Sequence, residues 1–239
     1  MASQTECLII GLGVFGKSLA ESLKKQQAIV VGVDINEKSL KENQKFLDQI
    51  VRADATKEEN LRVLGVDNFD YTFVCIGIDM QSNLIATLHL SNLGARRIIA
   101  RSSSAEHSLI LQKLGAHKVV RPEIETGERL SYEIISRFDH FIKFSENLAV
   151  VQLEVPEKMW GKNLKEMDLR KKYKINLISI KRNEPFVNSD GEDTVLKDLE
   201  TVPDPDYRFK KFDKIYLVGD VSNLQRFKED YLSGDTSAS

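Results

Sequence analysis

Three glycines near the start of the chain have the spacing of an anion-binding turn. An apolar run, residues 7–10, leads into G-L-G-V-F-G at residues 11–16, and the residues that follow have helical spacing. In such a strand–turn–helix, Gly11 permits the tight turn, Gly13 lets an anion approach the backbone, and Gly16 lets the helix pack closely on the strand. The unpaired N–H groups at the helix start face the anion, which favours phosphate.

An acidic residue follows at the end of the next apolar run. Residues 29–33 form this second run, and Asp34 ends it. A carboxylate there accepts hydrogen bonds from ribose hydroxyls, and its charge repels a 2′-phosphate. The glycine motif and Asp34 together predict a nucleotide-binding site. A fold of the same type that has lost its ligand is the alternative.

The composition is that of an ordinary globular protein. The 239 residues are 29% charged and 41% hydrophobic, with a formal net charge of −2. This balance predicts neither a nucleic-acid partner nor direct attraction to an anionic membrane. The polar residues 1–6 argue against a signal peptide, and no apolar run approaches the roughly 20 residues of a membrane span. We therefore expect a cytoplasmic protein, with Cys7 and Cys75 as buried reduced thiols.

The elements that must position the motif alternate regularly over residues 6–121. Short apolar strands and amphipathic helices predict an α/β fold with a Rossmann-like, doubly wound parallel sheet. The expected strands are 7–10, 29–33, 49–51, 71–76, 97–100 and 118–120. The expected helices are 14–26, 37–46, 57–64, 80–93 and 105–114. Thr56 is expected to cap the third helix, and Gly65, Gly94 and Gly115 to follow helix ends.

The rest of the chain divides into three further segments. Residues 1–121 are the predicted nucleotide-binding core, 122–145 a crossover helix and linker, 146–230 a small α+β domain, and 231–239 a polar tail. The small domain is expected to contain strands at 148–156, 176–180 and 214–219, a helix at 164–173, a hairpin turning at Asp190-Gly191, and a helix through 223–227. Pro122 is expected to begin the crossover helix.

The crossover segment carries more large apolar side chains than one face of a sheet can cover. They are Leu130, Ile134, Ile135, Phe138, Phe141, Ile142 and Phe144. Either they pack under the small domain or the segment crosses to a partner chain, and we favour the partner chain.

Catalysis is poorly supported by the residue types. The four histidines are His89, His107, His117 and His140, so none lies in the small domain, where a proton donor for hydride transfer would be expected. Residues 146–230 also lack a Lys/Tyr pair, a Cys/His pair and a metal-ligand cluster. The sequence therefore predicts a protein that is not an enzyme.

Other residues at the expected strand ends each have two interpretations. Asp54 either caps the next helix or contacts an adenine or ribose edge, and Arg101 is either a solvated charge or, as we favour, a phosphate ligand. His107 is equally consistent with a nucleotide contact and with plain surface exposure. Glu123 either complements the helix dipole or lies near the phosphates with a cation between.

Six segments of the chain resemble one known family. They are GLGVFGKSLA, VVGVDINE, ADATKEENL, LGVDNFDYTFVCIGIDMQSN, KLGAHKVVRPEIETGERLS and DLRKKYKINLISIKR. In order and register, from residue 6 to about residue 228, they resemble the KtrA/TrkA family, the RCK-domain regulatory subunits of bacterial potassium-uptake systems. The resemblance is to the KtrA type in particular.

The resemblance implies an RCK_N domain that binds ATP or ADP, followed by an RCK_C domain. It also implies a crossover helix swapped within homodimers and an octameric ring docked on a membrane potassium-channel subunit of the Ktr/Trk type, at the inner face of the cell membrane. Nucleotide exchange would then switch the ring conformation. Related Trk-type regulators sense NAD(H), which is the alternative, and an NAD-dependent oxidoreductase is a third.

The resemblance also assigns site residues. The implied nucleotide-binding positions are Gly11, Gly13, Val14, Phe15, Gly16, Asp34, Ile35, Asn36, Asp54, Ala55, Ile76, Gly77, Ile78, Arg101, Ser102, Ser103, His107 and Glu123. Glu123 matches a glutamate that helps to hold a cation, Mg²⁺ or Na⁺, near the phosphates. Val14 departs from the family, which often has arginine there, and this leaves discrimination between ATP and ADP open. In the RCK_C domain, Arg170 and Asn176 match positions that bind cyclic di-AMP in some relatives.

Overall fold

A computed structural model of the chain describes residues 4–77, 79–136, 138–187, 193–200 and 202–232. The chain forms two compact units, Met1–Ile124 and Glu125–Ser239.

The first unit contains a six-stranded parallel sheet with the strand order β3-β2-β1-β4-β5-β6. Its strands are Glu6–Ile10 (β1), Ile29–Asp34 (β2), Gln49–Arg52 (β3), Tyr71–Val74 (β4), Ile98–Arg101 (β5) and Lys118–Val120 (β6). The order reverses between β1 and β4, which is the arrangement of a doubly wound sheet. The predicted fold class is confirmed.

Helices cover this sheet on both faces. They are Val14–Lys25 (α1), Glu37–Asn43 (α2), Glu58–Val63 (α3), Met80–Asn92 (α4) and Ala105–Lys113 (α5). Cys7 and Ile9 of β1 pack in a cluster with residues of α1 and α2, while Leu8 and Ile10 face a second cluster formed with α3, α4 and α5. Because residues 7–10 of β1 are buried on both faces of the sheet, they are continuously apolar rather than alternating.

The ends of these helices agree with the predicted capping chemistry except at Thr56. Gly65, Gly94 and Gly115 follow helix ends with positive φ, as expected. The predicted capping box at Thr56 is wrong, because the N-cap of α3 is Lys57, without a side-chain capping bond. Thr56 instead donates its amide and its hydroxyl to Asp54 Oδ1, in a turn that precedes the helix.

The second unit is built on a five-stranded antiparallel sheet with the order β10-β9-β11-β8-β7. Its strands are His140–Lys143 (β7), Leu148–Glu154 (β8), Asn176–Val187 (β9), Asp193–Glu200 (β10) and Lys214–Asp220 (β11). Sequence analysis missed β7, which pairs with β8. The Asp190-Gly191 turn lies outside the described residues.

The helices of the second unit differ in detail from the expected ones. The last helix that follows the parallel sheet, Pro122–Ser136 (α6), begins at the proline as predicted and continues past Gly127. Residues 164–173 form two short helices, Leu164–Met167 (α7) and Leu169–Tyr173 (α8), separated by Asp168 with φ +44°. The final helix, Val221–Leu232 (α9), extends two residues into the segment expected as a polar tail.

The apolar residues of the crossover segment divide between the core and the surface. Phe138 and Phe141 are buried in the core of the second unit. Five others are exposed, namely Leu130, Ile134, Ile135, Ile142 and Phe144. Packing within the second unit therefore accounts for part of this segment and leaves an apolar surface.

Candidate functional site

The predicted site residues of the first unit lie where the parallel strands end. Gly11 follows β1, Asp34 ends β2, and Arg101 ends β5. The carboxyl ends of parallel strands share one edge of the sheet, and the reversal of strand order between β1 and β4 opens a crevice at that edge. Crevices of this kind hold the ligands of open α/β sheets.

The glycine loop has little room for side chains at two of its three glycines. Gly11 has φ +92°, and a Cβ there would lie 3.1 Å from the backbone of Cys75 and Ile76. A Cβ at Gly16 would overlap the carbonyl oxygen of Gly11. Gly13 is different, because it is the exposed N-cap of α1 and a Cβ there would meet none of the described residues within 4 Å. The open side of the loop is therefore at Gly13, where the first N–H groups of α1 begin.

The next two residues of the loop differ in their surroundings. Val14 is 91% exposed. Phe15 is half-buried, and its ring centroid lies 6.0 Å from the guanidinium carbon of Arg101. The loop itself therefore presents an apolar side chain and backbone N–H groups to an anion.

Asp34 is bonded to the backbone on both of its carboxylate oxygens. Oδ2 accepts from the Leu12 amide at 2.7 Å and Oδ1 from the Asn36 amide at 2.8 Å. Each carboxylate oxygen has a second lone pair, so Asp34 retains acceptor capacity for ribose hydroxyls. The Asn36 side chain is the N-cap of α2 and accepts from Lys38, while Ile35 between them is exposed.

Asp54 takes part in the turn that leaves β3. The Thr56 hydroxyl and the Thr56 amide both donate to Asp54 Oδ1, at 2.7 and 2.9 Å, and together they hold the pKa of this carboxyl below its usual value. Asp54 is therefore ionised at neutral pH. Ala55 beside it is buried.

Asn83 connects the ends of β4 and β5, and sequence analysis missed it. Its Nδ2 donates to the carbonyl of Ile76 at 2.6 Å and to that of Arg101 at 3.0 Å. Asn83 lies in the first turn of α4 and is fully buried. The helix carries polar residues at several other positions, so its sequence pattern does not single out Asn83. Ile78 lies outside the described residues.

Arg101 and Glu123 form an ion pair over the end of β4. Arg101 Nη2 contacts Glu123 Oε1, and a Cβ at Gly77 would overlap the Arg101 guanidinium. The two side chains are 25% and 61% exposed, respectively. The structure thus brings together Arg101, which we expect to bind phosphate, and Glu123, which we expect to hold a metal ion.

His107 and Ser102 lie beneath the surface of the site. His107 is only 3% exposed, so the alternative of a plain surface histidine is wrong. Burial lowers its pKa, which keeps the ring neutral at pH 7. His107 Nδ1 lies 3.4 Å from the amide nitrogen of the exposed Ser103, and Nε2 is buried without a hydrogen-bond partner among the described residues.

Arg170 and Asn176 are in direct contact in the second unit. Arg170 Nε donates to Asn176 Oδ1 at 2.8 Å. Both residues line a cavity of about 320 Å³, together with Pro205. The structure therefore brings together the two residues that the resemblance assigns to cyclic di-AMP, and the Arg170 guanidinium has further N–H donors that suit an anion.

Other predicted features concern thiols, metals and membranes. Burial raises the pKa of Cys7 to about 11 and that of Cys75 to about 12, and both are free thiols, as expected. Within the described ranges, no group of three or more His, Cys, Asp or Glu side chains could hold a metal ion. No helix in the part of the chain that the structure describes has the length and apolarity to cross a membrane.

These features place the chain in a class of proteins in which an α/β domain with a glycine loop, of the kind that binds nucleotides, is followed by a small domain with an antiparallel sheet. The TrkA-N domain family matches residues 7–122. The chain belongs to the KtrA/TrkA family of potassium-uptake proteins. It is 30% identical to Ktr system potassium uptake protein C of Bacillus subtilis (strain 168) over 228 residues, which cover 95% of this chain and 97% of that protein. It is 27% identical to Ktr system potassium uptake protein A of the same organism, over 93% of this chain and 95% of that protein.

Solved structures agree on the fold. The crystal structure of the GsuK RCK domain matches 99% of this chain with a TM-score of 0.62 at 22% identity. The GsuK channel bound to NAD matches the whole chain with the same TM-score at 19% identity. This chain spans 49% and 41% of those two chains, respectively.

Proposed function

We propose that this chain is a nucleotide-binding regulatory subunit of a potassium channel or transporter, in which exchange of ATP and ADP switches the conformation of a ring of copies. One observation carries the proposal: the glycine loop, Asp34 and the Arg101–Glu123 pair meet at a single edge of the sheet. Membership of a potassium-uptake family supplies the process that the site would control.

Each part of the site matches one part of an adenine nucleotide. The N–H groups at the start of α1 would bind phosphate, and Asp34 would accept from ribose hydroxyls. Arg101 would pair with the phosphates, and Glu123, released from Arg101, would hold a cation such as Mg²⁺ or Na⁺ beside them. Asp54, Ala55, Ile76 and the region of His107 would surround the base.

The role of the nucleotide would be regulatory rather than catalytic. A ligand shifts a conformational equilibrium only by the difference of its affinities for the two states. The work available to the channel is therefore limited by how differently ATP and ADP bind the two ring conformations.

Two apolar surfaces support an assembly of several copies. In the first unit, Leu88, Leu109 and Ile110 are exposed on α4 and α5. In the second unit, Ile134 and Ile135 of α6 are exposed, and a cavity of about 520 Å³ lies between α6 and β7. A homodimer needs one such surface, and a ring of dimers such as an octamer needs a second. The ring would bind a Ktr/Trk-type membrane subunit at the inner face of the cell membrane.

NAD(H) sensing is the second candidate, and Val14 favours it. ATP places three phosphates near the start of α1, whereas the exposed loop position carries an apolar side chain instead of a cation. ADP and NAD(H) carry less charge at their phosphates than ATP does, so the lack of a cation at Val14 weakens their binding less. Asp34 serves the ribose of all three nucleotides.

Cyclic di-AMP is the ligand that we propose to test at the second unit. Arg170 offers a guanidinium to a phosphate, and the adjoining cavity has room for a base. Arg170→Ala should abolish binding of cyclic di-AMP and leave binding of ADP unchanged.

Equilibrium binding of ATP, ADP and NAD(H), combined with the mass of the assembly, tests the proposal. We expect saturable binding of one adenine nucleotide per chain in an oligomer. NAD(H) binding more tightly than ATP and ADP would favour the second candidate, and turnover of NAD(H) with small carbonyl compounds would favour an oxidoreductase. A monomer that binds none of these nucleotides would refute the proposal.

A further inference from the structure

Side chains from two different elements hold the backbone of Leu12 in the glycine loop. The Leu12 amide donates to Asp34 Oδ2 at 2.7 Å, and the Leu12 carbonyl accepts from Asn43 Nδ2 at 3.2 Å. Asp34 ends β2, while Asn43 is the last residue of α2. Both polar groups of one loop residue are therefore fixed by residues more than 20 positions along the chain.

The orientation of the Asn43 amide is determined by its two acceptors. Its Nδ2 donates to the Leu12 carbonyl and to the Ser39 carbonyl, the latter at 2.6 Å. A flipped amide would direct Oδ1 at two carbonyl oxygens, which is repulsive. The Asn43 amide therefore has one stable orientation, and it connects α2 to the loop.

Stability alone does not account for an asparagine at this position. Asn43 is 2% exposed, and its Oδ1 is buried without a donor among the described residues. An unsatisfied buried acceptor costs free energy, which an apolar side chain of similar volume would avoid. Asn43 therefore leaves its own Oδ1 unsatisfied while its Nδ2 holds two backbone carbonyls, one of them in the glycine loop.

Holding the Leu12 carbonyl also orients the next N–H group. The carbonyl of Leu12 and the amide of Gly13 belong to one planar trans peptide, in which C=O and N–H point in opposite directions. Because Asn43 draws the carbonyl toward the buried side, the Gly13 N–H points away from it, toward the exposed start of α1. This is the direction from which a phosphate would approach.

We propose that Asn43 is a positioning residue for phosphate: together with Asp34 it fixes the Leu12–Gly13 peptide so that the loop is preorganised for the phosphates of the ligand. This inference rests on the proposed nucleotide site and adds to it a residue that does not touch the ligand. Its contribution concerns the phosphates and leaves the base and ribose unaffected.

Asn43→Leu tests the inference, since leucine removes the amide and keeps the branching of the side chain. In the full-length chain we expect lower thermal stability, because the buried Leu12 carbonyl loses its donor, together with ADP binding weakened about three- to tenfold and adenosine binding changed by less than about twofold. Leu40→Val is the matched control, because Leu40 is buried in the same helix and packs in the core without bonding the loop. It should lower the melting temperature and leave the ratio of ADP to adenosine affinity unchanged.

Asn43→Ala provides a second variant in case leucine overpacks the site, and the same selective loss of ADP affinity is expected. Wild-type ADP affinity in both Asn43 variants, or equal weakening of ADP and adenosine, would overturn the inference while the proposed function stands. Failure of the wild-type chain to bind either ligand would overturn the proposed function as well.

Discussion

Replacing Glu123 by glutamine removes the charge of one partner in the Arg101–Glu123 pair and keeps the side chain nearly the same shape. In the present structure the Arg101 guanidinium lies over Gly77 and contacts Glu123. A nucleotide that uses Arg101 for its phosphates must therefore compete with this carboxylate. Glu123→Gln should make Arg101 available to the ligand.

The size of the effect follows from the exposure of the pair. Arg101 and Glu123 are 25% and 61% exposed, so the pair is closer to a surface ion pair than to a buried one. Such pairs contribute about 0.2–1 kcal/mol. Without divalent cations, Glu123→Gln should therefore strengthen ADP binding by up to about fivefold. With Mg²⁺ the sign should reverse, because the wild-type carboxylate then holds a cation beside the phosphates.

Isothermal titration calorimetry with ADP, in EDTA and in excess Mg²⁺, measures both effects. Glu128→Gln is the control, an exposed glutamate later in the same helix, and it should change neither affinity. If Glu123→Gln weakens ADP binding in EDTA, Glu123 does not compete for Arg101 and the reasoning fails.

Further substitutions test the glycine loop, His107 and the exposed apolar residues of α6. Gly16→Ala should lower the melting temperature sharply, because the new Cβ would overlap the Gly11 carbonyl. Gly13→Ala should leave the melting temperature unchanged and weaken the binding of phosphate-bearing ligands only. Unchanged ADP binding in Gly13→Ala would be inconsistent with a phosphate at the loop. The pKa of His107 is lower in the folded state than in the unfolded state, so the unfolded state binds more protons and the stability of the fold should fall as the pH drops below about 6.5. His107→Gln should flatten the pH dependence of the melting temperature. An equally steep pH dependence in the variant would contradict this prediction. Ile134→Asp should reduce the assembly mass in analytical ultracentrifugation, and an unchanged mass would place the interface elsewhere.

The parallel sheet was predictable because its signals are local. All six strands, their alternation with helices and the left-handed glycines after three helices follow from apolar runs and turn residues. The positions at which strands end depend less on local sequence signals. The expected strand 71–76 ends at Val74, although the Cys75 amide still donates to the Ile10 carbonyl at 2.7 Å, and the backbone of Cys75 and Ile76 then approaches Gly11.

Features that depend on distant partners were missed. The strand β7 has one inward residue, Phe141, and pairs with β8 across a loop, so no periodicity marks it. The break at Asp168 depends on a single left-handed residue. Asn43 and Asn83 bond carbonyls on other elements, and nothing in the sequence around them indicates those acceptors. The candidate residues at the strand ends were therefore predictable, while the residues that hold the backbone around them were not.

Hydrogen exchange of the wild-type chain with and without ADP tests the central claim most directly, because it reports where the nucleotide binds. We predict slower exchange at the glycine loop, at the residues that follow β2, and around Arg101. Saturable binding with protection confined to the second unit would contradict it, and so would the absence of any protection at saturating ATP, ADP and NAD(H).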